Sequence, residues 1–561
     1  MSFQAPVSKC TTTIPGLGRL DGLQFANGVQ QFSGIPYADL PKRWTRSILK
    51  TSWEGQFHDG TKQGSNCPNP ITPGDDSDEL VPVPPAPHFT EWNVDELSAL
   101  VLNIVIPQAF QSTTTTDDLN KKPLPVFVYI HGGSLLYGGG NLPIFDAVNL
   151  VSHSITTNQP IICINFNYRV GLGGFLGGSA IASSLAKEGH SGSGNFGLTD
   201  QQTAFAWVQK YIHHFGGDAS NVTAVGESAG GISISNHLLA ARPATFHRAV
   251  CMSGLAVSIP AWTIAQHDRL FEAVCAHFDI DSRGEGVVDK LRAIPQQDLA
   301  DATPLIQGVP SGTGNPCIDG WFYPEGLDHG VVHAPPGWLQ SLMIGDTYHE
   351  GVIFHLNLVE GGEDFASVRR ILQSHIQDES VTDLFLREYE IADDLSRAEF
   401  LVNVEHMCGD AIFKIPNYVL AQICGGGKSG IEGRFYSYHF DQRSRIRNSF
   451  EGTAYHAHEL LYLFGNLENE MNYSEREMVK EFMSAWIRFA NGLAPWHPKG
   501  EERWMVWGPD SESELKNEAK DEDVRGYERI KRILGLGDGT VWKKWLAGVD
   551  SLVVRRWKLE M

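Results

Sequence analysis

The sequence has no apolar run that approaches the roughly 18 consecutive residues of a membrane-spanning helix. Residues 1–6 have neither the basic start nor the apolar stretch of a secretory signal peptide. Residues 558–561 match no signal for retention in the endoplasmic reticulum or for import into peroxisomes. We therefore expect a cytoplasmic protein with no membrane span.

Basic residues are scarce relative to acidic ones. The chain has 44 lysines and arginines against 66 aspartates and glutamates, which gives a formal net charge of −22. Such a charge repels phosphate backbones and anionic lipid surfaces, so the sequence argues against nucleic-acid binding. With 42% hydrophobic and 20% charged residues, the chain also differs from disordered proteins, coiled coils and collagen-like fibres.

Cysteine is infrequent and irregularly spaced. The 8 cysteines include no C-x-x-C pair, which excludes the common spacings of structural zinc sites and of thioredoxin-like redox sites. Because no secretory signal is recognisable, we expect free thiols rather than disulfides.

Short apolar runs alternate with segments of helical periodicity. The apolar runs have the composition of strands that are buried on both faces of a parallel sheet. We predict strands at 126–130, 161–166 and 222–225, and helices at 200–215, 230–239 and 474–491. This order predicts an α/β fold with a mostly parallel central sheet flanked by helices. Since there is no internal repeat and no separating linker, we expect one domain over residues 1–561 with long insertions.

One glycine-rich turn carries a candidate nucleophile. Residues 226–230 have the pattern G-x-S-x-G, with Ser228 directly after a predicted strand and before a predicted helix. In such a turn the serine hydroxyl projects from the top of the sheet, and the N-terminus of the helix favours developing negative charge. We predict that Ser228 attacks an acyl carbon.

A second glycine-rich loop supplies candidate hydrogen-bond donors for an oxyanion. His131, Gly132, Gly133 and Ser134 follow the strand predicted at 126–130. Such a loop directs main-chain N–H groups into the site of an α/β-hydrolase, although a plain glycine turn after a strand has the same sequence. The base is one of 21 histidines. The order of this fold, nucleophile then acid then histidine, places the base late in the chain.

Further motifs follow in a fixed order over most of the chain. Beside the two loops above, they lie at 32–38, 167–169, 194–198, 200–201, 215–218, 253–254, 319–320, 350–351, 456–460 and 486–490. On these residues the chain resembles the type-B carboxylesterase family of α/β-hydrolases, which includes cholinesterases and some fungal lipases. The resemblance implies the α/β-hydrolase fold and a serine esterase that uses no cofactor and no metal.

The resemblance also implies roles for individual residues. The expected catalytic triad consists of the nucleophile Ser228, the acid Glu350 and the base His456. The main-chain amides expected to hold the oxyanion belong to Gly133, Ser134 and Ala229. The residues expected around the histidine, either as a supporting polar layer or as ordinary buried polar groups, are Glu227, Ser253 and Glu459.

Chain order alone does not choose the triad acid, because Asp319, Asp346 and Glu350 all precede His456. By the resemblance, Asp319 belongs to a turn and Glu350 is the acid. Asp346 follows an apolar run at 342–344, and a capping or turn role suits it.

Zinc chemistry has two candidate motifs in the sequence. The histidine–glutamate pairs at 349–350 and 458–459 could each begin an H-E-x-x-H motif. Ile353 and Tyr462 occupy the positions of the second histidines, so neither motif is complete.

The predicted function is hydrolysis of a small to medium organic ester through an acyl-enzyme. The same intermediate could instead be discharged onto an alcohol or an internal hydroxyl, as in an acyltransferase, a lactonase or a cyclase. A more distant alternative is a non-catalytic binding module. The oligomeric state stays open.

Two features bear on the substrate. Residues 311–315 contain no aromatic side chain and lie where the family walls its acyl pocket, so we expect a roomy acyl side. Trp92 is the only nearby candidate for a choline platform and is not at the spacing that the resemblance requires.

The resemblance also bears on the cysteines. Secreted members of the family usually close two loops with disulfides. Cys67 and Cys275 match the first cysteine of each pair, whereas Ala99 and Lys290 stand at the partner positions.

Overall fold

The computed structural model describes residues 4–70, 93–108, 122–307, 314–426, 430–431 and 433–554. Within these ranges the strands form a 13-stranded sheet and two small sheets of 2 strands each. In chain order the strands are β1 (Pro6–Ile14), β2 (Gly18–Phe25), β3 (Val29–Pro36), β4 (Ala38–Asp39), β5 (Ile48–Leu49), β6 (Phe57–Asp59), β7 (Val101–Pro107), β8 (Leu124–Ile130), β9 (Ile162–Phe166), β10 (Gly217–Glu227), β11 (Arg248–Met252), β12 (Trp262–Thr263), β13 (Cys317–Ile318), β14 (Ser341–Thr347), β15 (Phe435–Phe440), β16 (Trp504–Trp507) and β17 (Ser513–Lys516).

The large sheet is parallel in its middle and antiparallel at its two ends, apart from the parallel pair β2–β6. Its strand order is β1-β2-β3-β7-β9-β8-β10-β11-β14-β15-β16-β17, and β6 pairs with β2. All neighbours from β9 to β16 run parallel. The pairs that involve β1, β3, β7 or β17 are antiparallel. The predicted mostly parallel central sheet is confirmed.

Helices cover both faces of the sheet. They are α1 (Val148–Thr156), α2 (Gly171–Phe175), α3 (Ser179–Lys187), α4 (Phe196–Tyr211), α5 (Ala229–Leu239), α6 (Ile264–His277), α7 (Val287–Arg292), α8 (Gln296–Gln307), α9 (His355–Glu360), α10 (Phe365–Ile376), α11 (Glu379–Glu388), α12 (Arg397–Gly409), α13 (Ile415–Gly425), α14 (Leu460–Phe464), α15 (Tyr473–Ala490), α16 (Glu518–Arg525), α17 (Tyr527–Leu534) and α18 (Thr540–Val554). In the described part of the chain, none of them has the length and apolar character needed to cross a bilayer.

Alternating side chains of the central strands pack into two separate hydrophobic cores. In β8, Val126 and Val128 pack into the core that also contains residues of α4, α5 and α12. Phe127 and Tyr129 of the same strand pack into the core that contains α1, α14 and α15. Because successive side chains point to opposite faces, the two cores lie on opposite sides of the sheet.

The predicted elements exist, and their boundaries shift. The helix predicted at 200–215 begins earlier, at Phe196, and its last residues form a 3₁₀ turn. The helix predicted from residue 474 begins at Tyr473 and is capped by Asn472, whose side chain accepts from the amide of Glu475. The reciprocal bond from the Asn472 amide to the Glu475 carboxylate completes a capping box.

The parallel strands bring the predicted site residues to one edge of the sheet. Ser228 follows β10, the loop at 131–134 follows β8, Ser253 follows β11 and Glu350 follows β14. Functional sites of open α/β sheets lie at these carboxyl ends.

Candidate active site

The turn at Ser228 is strained and closely packed. Ser228 has φ 52° and ψ −122°, a conformation that costs a residue other than glycine about 1–3 kcal/mol. Its amide donates to the carbonyl oxygen of Met252 in the neighbouring strand, at 2.8 Å. A Cβ on Gly230 would lie 2.0 Å from the carbonyl oxygen of Ile130, so only glycine permits this approach of α5 to β8. The turn thereby fixes the position of the serine hydroxyl.

The loop after β8 lies against the serine turn. A Cβ on Gly132 would be 3.2 Å from the Cβ of Ser228. Gly133 has φ 105° and Ser134 has φ 57°, so the loop passes through the left-handed region. Within the described residues, the amides of Gly133, Ser134 and Ala229 donate to no protein acceptor. They are therefore candidate donors to an oxyanion beside Ser228. Ser134 stands where the family commonly has glycine, and its side chain partly opposes the rise that burial causes in the pKa of Tyr137.

His456 and Glu350 form a buried pair. His456 Nδ1 lies 2.5 Å from Glu350 Oε2. The other carboxylate oxygen of Glu350 accepts from the Ser253 hydroxyl at 2.7 Å and from the Thr347 amide at 2.6 Å. With both oxygens held, the carboxylate fixes the ring of the histidine and directs Nε2 toward the site.

The two aspartates that compete with Glu350 by chain order have other partners. The Asp319 carboxylate accepts from the amides of Trp321 and Phe322, as the predicted turn requires. Asp346 is buried and bonds to His439 and Arg525, and it is neither a helix cap nor a turn residue. The guanidinium of Arg525 compensates its charge in the buried position.

The structure does not bring all three triad residues into hydrogen bonds with one another. Within the described residues, His456 Nε2 has no aligned hydrogen-bond partner and Ser228 Oγ makes no bond to it. His456 Nε2 lies 3.1 Å from Glu227 Oε1, and neither atom is aligned for a hydrogen bond. Such contacts are often loose in an enzyme without substrate and tighten when substrate binds.

Buried carboxylates surround the histidine. Burial alone would lower the pKa of His456, but the charges of Glu227 and Glu350 raise it to about 9. The pKa of Glu227 is raised to about 7. Burial is the main cause, the charge of Glu350 adds to the rise, and the charge of His456 opposes it. Burial, together with Glu227 and Glu350, holds the pKa of Glu459 well above its usual range. The Oε1 of Glu459 lies within reach of the hydroxyls of Ser253 and Tyr438.

Other residues at the site were not anticipated from the sequence. The ring of Phe413 lies 4.9 Å from the ring of His456 and covers it. Phe413 belongs to a π-helical segment, Asp410–Lys414, between α12 and α13. Such segments are frequent at functional sites, but no local sequence pattern marks this one. The Thr347 amide and the Tyr438 hydroxyl were also missed. The first contacts Glu350 three residues away through the main chain, and the second contacts Glu459 21 residues away.

Some of the sequence expectations fall on residues outside the described ranges. These are residues 311–313 of the acyl-side stretch and Trp92. Among the described residues, no group of three or more histidines, cysteines, aspartates or glutamates is placed to hold a metal ion. A cavity of about 820 Å³ lies elsewhere, between Phe435, Trp504 and Glu518, and contains none of the predicted site residues.

Residues 8–532 match the model of the carboxylesterase family. This chain belongs to the carboxylesterase family. It is a carboxylic ester hydrolase with the fold that the sequence predicted.

Individual members of the carboxylesterase family agree with this assignment. Lipase 3 of Yarrowia lipolytica is 30% identical over 83% of this chain and 86% of its own length. Para-nitrobenzyl esterase of Bacillus subtilis is 29% identical over 88% of this chain and 94% of its own length. A solved structure of PNB esterase superposes with a TM-score of 0.68 at 25% identity and covers 93% of this chain and 99% of the solved chain.

From the charge of Glu227 we predict how kcat/KM of this carboxylesterase depends on pH. His456 is the expected general base and must be neutral to act, so kcat/KM should rise with pH through its pKa, which lies at about 9. Glu227→Gln removes a charge that stabilises the imidazolium, so it should move the acid limb of the profile to lower pH by about 1–3 units. The measurement is kcat/KM on one activated ester from pH 5 to 10.

Glu459→Gln is the matched control for this prediction. Glu459 contributes less than Glu227 to the raised pKa of His456, so Glu459→Gln should move the acid limb clearly less than Glu227→Gln does. An unmoved limb in Glu227→Gln, or equal movements in the two variants, would show that the charge of Glu227 does not set the pKa of the base.

Proposed function

We propose that the chain hydrolyses a small to medium organic ester through an acyl-enzyme on Ser228, with His456 as base and Glu350 as acid. The observation that carries this proposal is the 2.5 Å contact between His456 and Glu350 at the same sheet edge as the strained Ser228 turn. A buried carboxylate that orients an imidazole toward a serine turn supports nucleophilic catalysis.

The steps follow from these positions. Ser228 Oγ attacks the ester carbonyl while His456 Nε2 takes its proton, and Glu350 stabilises the resulting imidazolium. The amides of Gly133, Ser134 and Ala229 donate to the oxyanion. His456 then protonates the departing alcohol. Water, deprotonated by His456, attacks the acyl-enzyme and releases the acid and the free serine.

Glu227, Ser253 and Glu459 support the histidine in this proposal. Ser253 donates to Glu350, and Glu227 faces Nε2. No observation on the described residues favours acyl transfer, lactone formation or cyclisation over hydrolysis. The presence of nucleophile, base and acid together speaks against a non-catalytic binding module.

Substitution of the acid should be less damaging than loss of the nucleophile. Ser228→Ala and His456→Ala should abolish turnover, because each removes a group that bonds to the reacting atoms or moves their proton. Glu350→Gln leaves both in place and should lower kcat by on the order of 10²–10⁴. The measurement is kcat on one activated ester for each folded variant.

Asp346→Asn is the control for the choice of acid. Asparagine keeps one oxygen that can accept from Arg525, so we expect kcat to fall by less than about tenfold. If Asp346→Asn were as damaging as predicted for Glu350→Gln while Glu350→Gln stayed near wild type, the acid would be assigned to the wrong residue.

We further propose that the enzyme works in a reducing compartment such as the cytoplasm. All eight cysteines are free thiols in the structure, Cys67 and Cys275 among them. Thiol titration of the freshly purified, unfolded protein should find about eight free groups, because none is consumed by pairing. A count of about four or fewer would contradict the proposal.

A further inference from the structure

A buried cluster of charged side chains lies behind the loop that carries Glu350. It consists of Asp346 near the end of β14, His439 near the end of β15, Asp441 directly after β15, and Arg525 at the end of α16. All four side chains are buried. We call these residues the Arg525 cluster.

Arg525 joins the members of the cluster. Its Nη1 donates to Asp346 Oδ1 at 2.8 Å, and its Nη2 donates to Asp441 Oδ1. Asp346 Oδ1 also lies 2.7 Å from His439 Nδ1, and Asp346 Oδ2 accepts from the side chain of Asn417. Burial would raise the pKa of Asp346, but His439 and Arg525 lower it to about 2, so the carboxylate stays charged.

The cluster reaches the triad acid through one residue. Arg525 Nη1 also donates to the carbonyl oxygen of Thr347 at 3.1 Å. The amide of Thr347 donates to Glu350 Oε1 at 2.6 Å. Thr347 is therefore held at its carbonyl by Arg525 while its amide holds the carboxylate that orients His456.

The guanidinium suits this task because of its shape. It presents donors in a rigid fork, so one side chain can bind two carboxylates and a carbonyl in fixed directions. A lysine ammonium is compact and cannot reproduce that arrangement. A lysine at position 525 would therefore leave a buried carboxylate without its partner. Such an uncompensated charge is costly, and the loop that carries Glu350 would move to reduce that cost.

We propose that Arg525 is a positioning residue that sets the place of the Glu350 carboxylate through Thr347. This inference rests on the proposed function, in which Glu350 is the triad acid. Arg525 touches no reacting atom, and it lies 178 residues from Thr347 in the chain. Its effect is on the orientation of His456 and not on the binding of the ester.

The first experiment separates kcat from KM. A displacement of about 1 Å at a catalytic group costs on the order of 10²-fold, so Arg525→Lys should lower kcat by about 10- to 100-fold. KM should stay within about twofold, because no binding contact changes. The measurement is steady-state kinetics on one activated ester, with the melting temperature measured in parallel.

Arg43→Lys is the matched control. Arg43 is also a buried arginine, bonded to the Glu96 carboxylate and to the carbonyl oxygens of Leu291 and Ile294. None of these partners belongs to the candidate site. This variant should lower the melting temperature and leave kcat unchanged. If Arg525→Lys also lowered only the melting temperature, Arg525 would be a structural residue and the inference would be wrong.

A double-mutant cycle tests the route through Glu350. In the Glu350→Gln background, Arg525→Lys should lower kcat by less than about threefold, because the interaction through which it acts is already lost. A full multiplication of the two effects would overturn the inference and leave the triad assignment intact. A Glu350→Gln variant as active as wild type would overturn both.

A milder variant serves if Arg525→Lys does not fold. Asp441→Asn keeps an oxygen for Arg525 but weakens the pair that holds its Nη2. It should give a smaller fall in kcat, again with unchanged KM and without further effect in Glu350→Gln. An effect of Asp441→Asn on KM alone would contradict the inference.

Discussion

The contact between His456 Nδ1 and Glu350 Oε2 is the interaction on which the rest of the site depends. It holds the histidine in one ring orientation, in which Nε2 lies on the side of Glu227. Everything around the pair restrains it: Ser253 and Thr347 hold the carboxylate, and Phe413 covers the ring. A pair so enclosed keeps its geometry because water cannot compete for its hydrogen bonds.

The parallel sheet makes this arrangement possible. Neighbouring strands end at one edge, so short loops after β8, β10, β11 and β14 meet there although they are far apart in sequence. The strain at Ser228 and the tight approach of Gly230 to Ile130 are tolerated because the sheet and α5 fix both sides of the turn. Rigid elements thus position a small number of reactive atoms.

The sequence predicted the parts of the site that short motifs encode. The Ser228 turn and the loop at 131–134 depend on local glycines, and the central strands depend on apolar runs that are buried on both faces. The start of α15 was predicted one residue late, because the residue that caps the helix is Asn472. Phe413 and Arg525 were missed because their contacts arise from packing between distant segments. Thr347 was missed although it is only three residues from Glu350, because it acts through its main-chain amide, which any residue type could supply. The roles of the site residues remain predictions, whereas the fold and the family are confirmed.

Covalent labelling tests the central claim most directly. A phosphonate ester that imitates the tetrahedral intermediate should inactivate the enzyme with one label per chain, and peptide mass spectrometry should locate that label on Ser228. The account predicts that residual activity falls in proportion to the labelled fraction. Full inactivation with the label on another residue, or full activity with Ser228 labelled, would contradict it.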